Sequence, residues 1–593
     1  MKRLVAAAGC AALAWAQQAP ITETIRIESH VAVPMRDGVR LYADVYRPRR
    51  EGRFPVIVTR TPYGVQREGA HETLIKFAQR GYVAVMQDTR GRFESEGEWY
   101  PFREGNDGYD TVEWAARQPW SDGKVGMQGG SYLGNVQWRA AALAPPHLAA
   151  IFPALASTSL YHNTFFTGCA FRLSLALGWG VVRMPFRIMN PQYWHSEAYS
   201  PEELRYENIE WTLPLQTADQ ASSGQTVRHY RDWVKHQSYD DYWRAFSDEE
   251  RFENVNVPAH TYGGWYDLLL GGTLNGFTGM RRGGGSERAR RESKMMIGPW
   301  GHGATRKFGD VDFGEQAMHS LFDRQIRWFD HYLKGIDNGI ERDPPVEIFF
   351  MGVNRWERFS DWPPPGARYT PYYLASGGHA NTLRGDGVLA ASKPAGAATD
   401  EYTYDPAQPV PSVGAHDCCG MPMSTGPRDQ RGVQSRNDVL VYTSSILTRP
   451  LAIAGPVAVK LHAATDGRDT DFIAKLVDVD ERGVALNLAQ GALRARFRKG
   501  VDRMELLEPG RVYEFPIDLL GTAHVFLPGH RIRLAVTSSD FPQFDRNPNT
   551  GEDLGASSRL RVARQTIHHT AERPSQLILP VVDLSDPGPS RVP

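Results

Sequence analysis

KVGMQGGSYLGNVQW, from Lys124 to Trp138, decides how this chain is read. Val125 to Met127 have the apolar character of a buried strand end, Gly129 and Gly130 permit a sharp turn, and Ser131 stands at its apex before a helix-compatible run. A strained turn from strand to helix pushes a serine hydroxyl out of the sheet. It also leaves backbone N–H groups of the helix start beside that hydroxyl, where an oxyanion can form. The usual elbow is Gly-x-Ser-x-Gly. Here Leu133 takes the second glycine's place and Gly134 follows one residue late. The rest of the chain must therefore supply a base and an acid.

Working outward, the elbow sits in a pattern of alternating elements. Ile25 to Val33 and Val39 to Tyr46 read as strands about a turn at Met35 to Gly38, and Pro55 to Thr59 is a β-branched apolar run. Helix candidates at Glu72 to Arg80 and Tyr109 to Arg117 bracket a strand from Tyr82 to Met86. Strands alternating with helices predict a parallel sheet covered on both faces. From about residue 146 to 248 strand signals thin out, and Phe171 to Val182 and His229 to Phe246 look helical, which predicts an inserted cap. Strands resume at Val257 to Tyr262 and Lys294 to Ile297, and Ser320 to Leu333 closes the unit as an amphipathic helix.

Beyond Gly335 proline and glycine become frequent and the period changes to two: Val457, Val459 and Leu461, then Ile532, Leu534 and Val536. This predicts an antiparallel β-sandwich, of jelly-roll type. The expected organisation is a signal peptide over residues 1–16, an α/β-hydrolase domain in two parts (17–145 and 249–345), a helical cap over 146–248 and a sandwich over 346–593. A chain of 593 residues accommodates two or three such domains.

The bulk numbers narrow the function. Charged residues are 23% of the chain and the net charge is −1, which gives no field to attract nucleic acid or an anionic membrane. At the N-terminus Lys2 and Arg3 precede a short apolar run from Leu4 to Leu13, and Ala14-Trp15-Ala16 offers a cleavage signal before Gln17. The run is too short for a span, which needs about 20 residues, so export to the periplasm or medium is expected. Cys169, Cys418 and Cys419 would remain after cleavage, too few for a disulfide scaffold and without zinc-site spacing. A long-range bridge from Cys169 stays open.

A serine nucleophile needs a base to take its proton and an acid to orient that base. In α/β-hydrolases the order is Ser, Asp or Glu, then His, each after a strand. PAHTYGGWYD carries a strand through Tyr262, breaks at Gly263 and Gly264, and presents Asp267; KMMIGPWGH repeats the form with His302.

These stretches, with VPMRDGVRLYADVYRP at Val33 to Pro48, TRTPYG at Thr59 to Gly64, DTRGRFESEGEW at Asp88 to Trp99, and DTDFIAKLVDV from Asp469, resemble one family. It is the bacterial cocaine esterase and X-prolyl dipeptidyl-peptidase (CocE/NonD-type) family of serine hydrolases, which includes α-amino-acid ester hydrolases and glutaryl acylases. The resemblance accounts for the late glycine, since that family's elbow is similar to Gly-x-Ser-Tyr-x-Gly. It implies Ser131 as nucleophile, His302 as base, Asp267 as orienting acid, and an oxyanion hole from the Tyr132 N–H and the Tyr63 phenol. It implies no metal or organic cofactor. Asp88, Arg90, Arg92 and Glu96 are expected to form a salt-bridged brace near the elbow.

The substrate is expected to be a small ester or amide, or a short peptide. α-Amino-ester hydrolases of the family resemble one another in acidic residues just after the catalytic Asp, whereas Leu268, Leu269 and Leu270 stand there in this chain. An ammonium without a carboxylate partner binds poorly, which favours an esterase or acylase for a neutral acyl group. The alternatives are dipeptidyl-peptidase action, with Glu202, Glu203, Glu207 and Glu210 in the cap as sources of negative charge, and an inactive carbohydrate-binding protein. A homodimer is an assembly the sequence leaves open.

Overall fold

The computed structural model describes residues 24–66, 70–187, 208–396, 398–418 and 423–584. The expected signal peptide lies outside these residues. The N-terminal half is built on a ten-stranded sheet. Its strands are β1 (Ile25–Pro34), β2 (Arg40–Pro48), β3 (Phe54–Thr61), β4 (Val83–Asp88), β5 (Ser121–Gly130) and β6 (Leu148–Ala154). Two hairpin pairs supply β7 (Phe166–Thr167) with β8 (Ala170–Phe171), and β11 (Lys307–Phe308) with β12 (Val311–Asp312), outside this sheet. The sheet is completed by β9 (His260–Gly264), β10 (Lys294–Gly298), β13 (Val346–Phe350) and β14 (Arg355–Phe359), in the order β1-β2-β4-β3-β5-β6-β9-β10-β13-β14.

From β4 to β13 neighbouring strands run parallel. That is why β3 and β10 are buried at nearly every position and show no alternation. Helices α1 (Ala70–Gln79), α2 (Gly105–Ala116) and α3 (Tyr132–Ala141) cover the faces. Parallel strands share one carboxyl edge, so the loops after β3, β5, β9 and β10 converge there.

Two sequence boundaries move. The run from Leu148 to Ala154, expected inside the cap, is strand β6 in the middle of the sheet, beside β5 and β9. It follows two prolines and is apolar throughout, so periodicity could not assign it. The sandwich, expected from residue 346, starts later. β13 pairs in parallel with β10 and β14 pairs with β13, so the first sheet continues to Phe359.

The cap follows β6. A hairpin at β7 and β8 leads into helical turns from Leu173, which widen to a π-helical stretch over Ala176–Arg187; short helices follow at Ala218–Ser223, Arg228–Lys235 and Asp241–Arg244. Its core is aromatic: Phe165 stacks on Trp233 with ring centroids 3.9 Å apart, and Trp179 and Trp233 lie 6.3 Å apart. The glutamates proposed as cap charges are outside the described residues except Glu210, which lies near Arg546.

Eleven strands between Arg368 and Val581 form the C-terminal β-sandwich. It is fastened to the first sheet rather than tethered by a linker. Tyr266 donates to the Asn487 carbonyl at 3.2 Å, and Met351, just past β13, donates its N–H to the Ala523 carbonyl at 3.1 Å and accepts from the Val525 N–H at 2.9 Å. One apolar cluster runs from Trp265, Leu270 and Ile297 through Phe349 into Val457, Phe515 and Leu534. No helix among the described residues is long and apolar enough to cross a membrane.

Candidate active site

Ser131 is the residue between β5 and α3, with φ 61° and ψ −127°. Such a conformation costs a non-glycine residue about 1–3 kcal/mol and persists only where its surroundings enforce it. Here Ser131 N–H is held by the carbonyls of Ala154 (2.9 Å) and Leu155 (3.1 Å) at the end of β6. The same closeness explains the displaced glycine. A Cβ on Gly134 would come within 2.5 Å of Ala156 Cβ and 2.9 Å of the Ala154 carbonyl oxygen, so the first turn of α3 can pack on β6 only if residue 134 has no side chain. Leu133, where the general motif puts glycine, points to the cap side and packs with its aromatic cluster.

Asp267 and His302 meet Ser131 at the carboxyl edge. His302 Nε2 lies 2.7 Å from Ser131 Oγ and its Nδ1 lies 2.7 Å from Asp267 Oδ1. Asp267 is fully buried, and its Oδ2 makes no hydrogen bond among the described residues. The glycines before Asp267 have a packing reason: a Cβ on Gly264 would lie 2.2 Å from the Trp300 carbonyl oxygen. The two loops that carry Asp267 and His302 are thus pressed together, with Tyr266 N–H donating to that carbonyl at 2.9 Å. Arg172, buried in the cap, donates to the Leu268 carbonyl at 3.0 Å and to the His416 carbonyl, which ties the acid's loop to the sandwich.

Tyr63 and Tyr132 line the same pocket as Ser131 and His302. Tyr132 is the first residue of α3, so its backbone N–H has no acceptor within the helix. Its side chain is buried, stacks on Phe102 at 4.2 Å between centroids, and donates its phenol proton to Glu104. Burial pushes the Glu104 carboxyl up to about 7. Tyr63 lies on the loop after β3, half-buried and edge-on to Tyr132. Its phenol oxygen accepts from the Trp179 indole N–H at 3.2 Å, a bond that polarises the phenol O–H.

A small pocket, with a volume of about 40 Å³, opens on Ser131. Its walls are Tyr63, Phe102, Tyr132, Phe165, Leu175, Trp179, Leu268 and Leu269, with Asn135, Thr164, His302 and Cys418; none of them is an acid, a lysine or an arginine. Trp179, Phe102 and Leu175 escape a sequence reading, since large apolar residues in a helical run or a turn look like core. A larger groove lies at the other end of the same strands, beside His260, Lys294 and Arg324, away from the serine. Among the described residues, Glu292, His331 and Glu341 bring metal-ligating atoms together, and none of them lines the pocket.

The cysteine question is answered in part. Cys169 is a free, buried thiol beside the Tyr161 phenol, pushed up to about 12 by burial, so no bridge forms from it. Cys418 is disulfide-bonded to a partner outside the described residues and forms part of the pocket wall. The brace expected around the elbow forms only in part. Arg90 pairs with Asp107 at 2.6 Å and Asp37 at 2.9 Å, and Arg40 donates to Glu96 at 3.0 Å. Arg92 and Asp88 join no ion pair among the described residues.

Both halves of the chain resemble known proteins. Residues 37–304 match the X-Pro dipeptidyl-peptidase (S15 family) model and residues 338–578 match the X-Pro dipeptidyl-peptidase C-terminal non-catalytic domain. The chain is 37% identical to cocaine esterase of Rhodococcus sp. (strain MB1 Bresler) over 583 residues, 94% of this chain and 98% of that one. Among solved structures, an aminopeptidase from the marine sediment archaeon Thaumarchaeota archaeon superposes with TM-score 0.80 at 27% identity, covering 97% of this chain and 99% of its own. An α-amino acid ester hydrolase does so with TM-score 0.78 at 26% identity, covering 97% and 100%. The chain belongs to the cocaine esterase and X-Pro dipeptidyl-peptidase family of α/β-fold serine hydrolases.

Proposed function

We propose that this serine hydrolase is an exported esterase or acylase for a neutral acyl group, working through a Ser-His-Asp acyl-enzyme. His302 takes the Ser131 proton as the hydroxyl oxygen attacks the carbonyl carbon. Asp267 holds the imidazole in the required tautomer and stabilises the imidazolium. The tetrahedral oxygen accepts hydrogen bonds from the Tyr132 N–H and the Tyr63 phenol, and His302 then protonates the leaving group. Water repeats the steps and releases the acid.

The observation that carries the substrate class is the pocket wall: Leu268 and Leu269, 2% and 4% exposed, occupy the positions directly after Asp267, amid aromatic rings and with no carboxylate in the lining among the described residues. A desolvated ammonium would find no partner there, whereas an uncharged acyl group loses little on leaving water. Export rests on the N-terminal pattern, and N-terminal sequencing of the secreted chain should begin at Gln17.

Turnover of a neutral aryl ester should exceed that of an Ala-Pro anilide. Clear preference for the anilide would establish the dipeptidyl-peptidase reading instead. Ser131→Ala should abolish hydrolysis of both and block labelling by a fluorophosphonate; unchanged ester hydrolysis would refute the assignment.

A further inference from the structure

Arg92 is an unusual residue for its place. It is 2% exposed, yet among the described residues no carboxylate lies within ion-pair distance and its Nη2 makes no hydrogen bond. Its other guanidinium nitrogens reach two backbone carbonyls: Nε donates to Pro62 at 2.9 Å and Nη1 to Met184 at 3.2 Å. Pro62 precedes Tyr63, and Met184 lies in the π-helical stretch that also carries Trp179. One guanidinium therefore clamps the tyrosine's loop to the cap element whose indole bonds the tyrosine's phenol. The cation is further held over the Trp99 ring, 4.7 Å from its centroid.

The carboxyl groups that act on it lie beyond ion-pair distance and are themselves displaced. Burial pushes Asp88 up to about 8 and Glu104 up to about 7, and Glu104 accepts the Tyr132 phenol proton. Burial in turn lowers Arg92 to about 10, which still leaves it charged. Both phenols, Tyr132 and Tyr63, are within reach of that charge. A buried guanidinium without a carboxylate is costly. Well-packed apolar residues would brace the loop at less cost, so a purely structural role does not explain it.

We propose that Arg92 is a positioning residue for the oxyanion hole: it fixes the Tyr63 phenol through the Pro62 carbonyl, and its charge, which meets no carboxylate at ion-pair distance among the described residues, strengthens that phenol as a donor to the developing oxyanion. This rests on the reading of Tyr63 as an oxyanion donor. The charge matters most when the carbonyl oxygen becomes negative, so the effect belongs to kcat rather than to KM.

The test is a double-mutant cycle on the full chain. Arg92→Met and Arg92→Lys are made alone and with Tyr63→Phe, with kcat and KM taken on a neutral aryl ester and active sites counted by exhaustive fluorophosphonate labelling. Affinity for an aryl boronic acid, whose tetrahedral adduct on Ser131 carries the oxyanion's charge, is the second readout. Arg92→Met should lower kcat per active site and boronate affinity by about tenfold to a hundredfold with KM within about twofold, and Arg92→Lys should recover part of the loss. With Tyr63→Phe already present, Arg92→Met should cost no more than about threefold, because its target is gone.

Equal losses in both backgrounds, or a change confined to KM or to thermal stability, would overturn the proposal. If Tyr63→Phe alone left kcat unchanged, the oxyanion reading would fail first and the role of Arg92 with it.

Discussion

Two buried charge clusters in this molecule are put together differently. In the sandwich, Arg494 is 1% exposed and fully matched: it bonds Asp471 at 2.8 Å and Asp545 at 2.7 Å. Beside it Arg496 bonds Asp469 at 2.7 Å, and Asn547 bridges Asp469 and Asp471 at 2.8 Å each. Around Ser131 the charges are less fully matched among the described residues. Asp267 has one oxygen bonded to His302 and one without a hydrogen bond, and Arg92 has carbonyls where Arg494 has carboxylates. A closed network spends its charges on one another and gives a fixed geometry. An open one keeps a field available to whatever enters the pocket. The sandwich cluster still serves the site, at one remove: Arg494 N–H donates to Gly168 and Asp545 accepts from Phe171 N–H, so it seats the hairpin that begins the cap.

This contrast can be broken from both sides. On the open side, Asp267→Asn should leave the fold intact and lower kcat by on the order of 10⁴-fold, because the wrong imidazole tautomer would face Ser131; steady-state kinetics beside a thermal melt decide it. On the closed side, Arg494→Met strands Asp471 and Asp545 and should cost about 3–5 kcal/mol of stability. Urea denaturation measures that loss, and kcat per labelled active site should stay close to wild type. Loss of chemistry without loss of stability would place Arg494 with the open cluster.

Smaller effects sharpen the comparison. Leu269→Asp puts a carboxylate into a wall that has none among the described residues, and selectivity for an α-amino ester over its neutral analogue should rise by about tenfold or more, the worth of one hydrogen bond to a charged group. Competition between the two esters reads this directly.

A further effect is in pH. Burial raises Asp88 from 3.8 to about 8, so between these values the folded chain keeps a proton that the unfolded chain has lost. Its contribution to stability is present at acid pH and is lost as pH rises through that window, by up to about 1.4 kcal/mol per unit. Asp88→Asn should remove this slope and be relatively more stable at pH 8 than at pH 4, as parallel melts would show.

Much of the site is legible in the chain because its signals are local. A strand, a glycine break and a reactive residue recur at Ser131, Asp267 and His302, and each needs only a few neighbouring residues to be recognised. The element boundaries that moved are those where local signals are mute. β6 and β13 are short apolar runs, and their membership of a sheet is decided by neighbours on other parts of the chain. The brace around DTRGRFESEGEW was similarly half legible: opposite charges in one loop suggest pairing, and Arg90 and Glu96 do pair, but with Asp107, Asp37 and Arg40 from outside the loop.

By itself the sequence determined the chemistry on offer: an elbow serine, an acid and a histidine in hydrolase order, leucines where an acid would hold an ammonium, and a half of the chain with strand periodicity. Backbone chemistry and residue type act over a few residues, and the sequence states them outright. Only the tertiary structure decided which charges are matched and which are left open, that Trp179 of the cap reaches the Tyr63 phenol, and that Arg92 binds carbonyls from two elements 122 residues apart in the chain, Pro62 and Met184. Partners of that kind are selected by packing across the whole fold, and no local pattern encodes them.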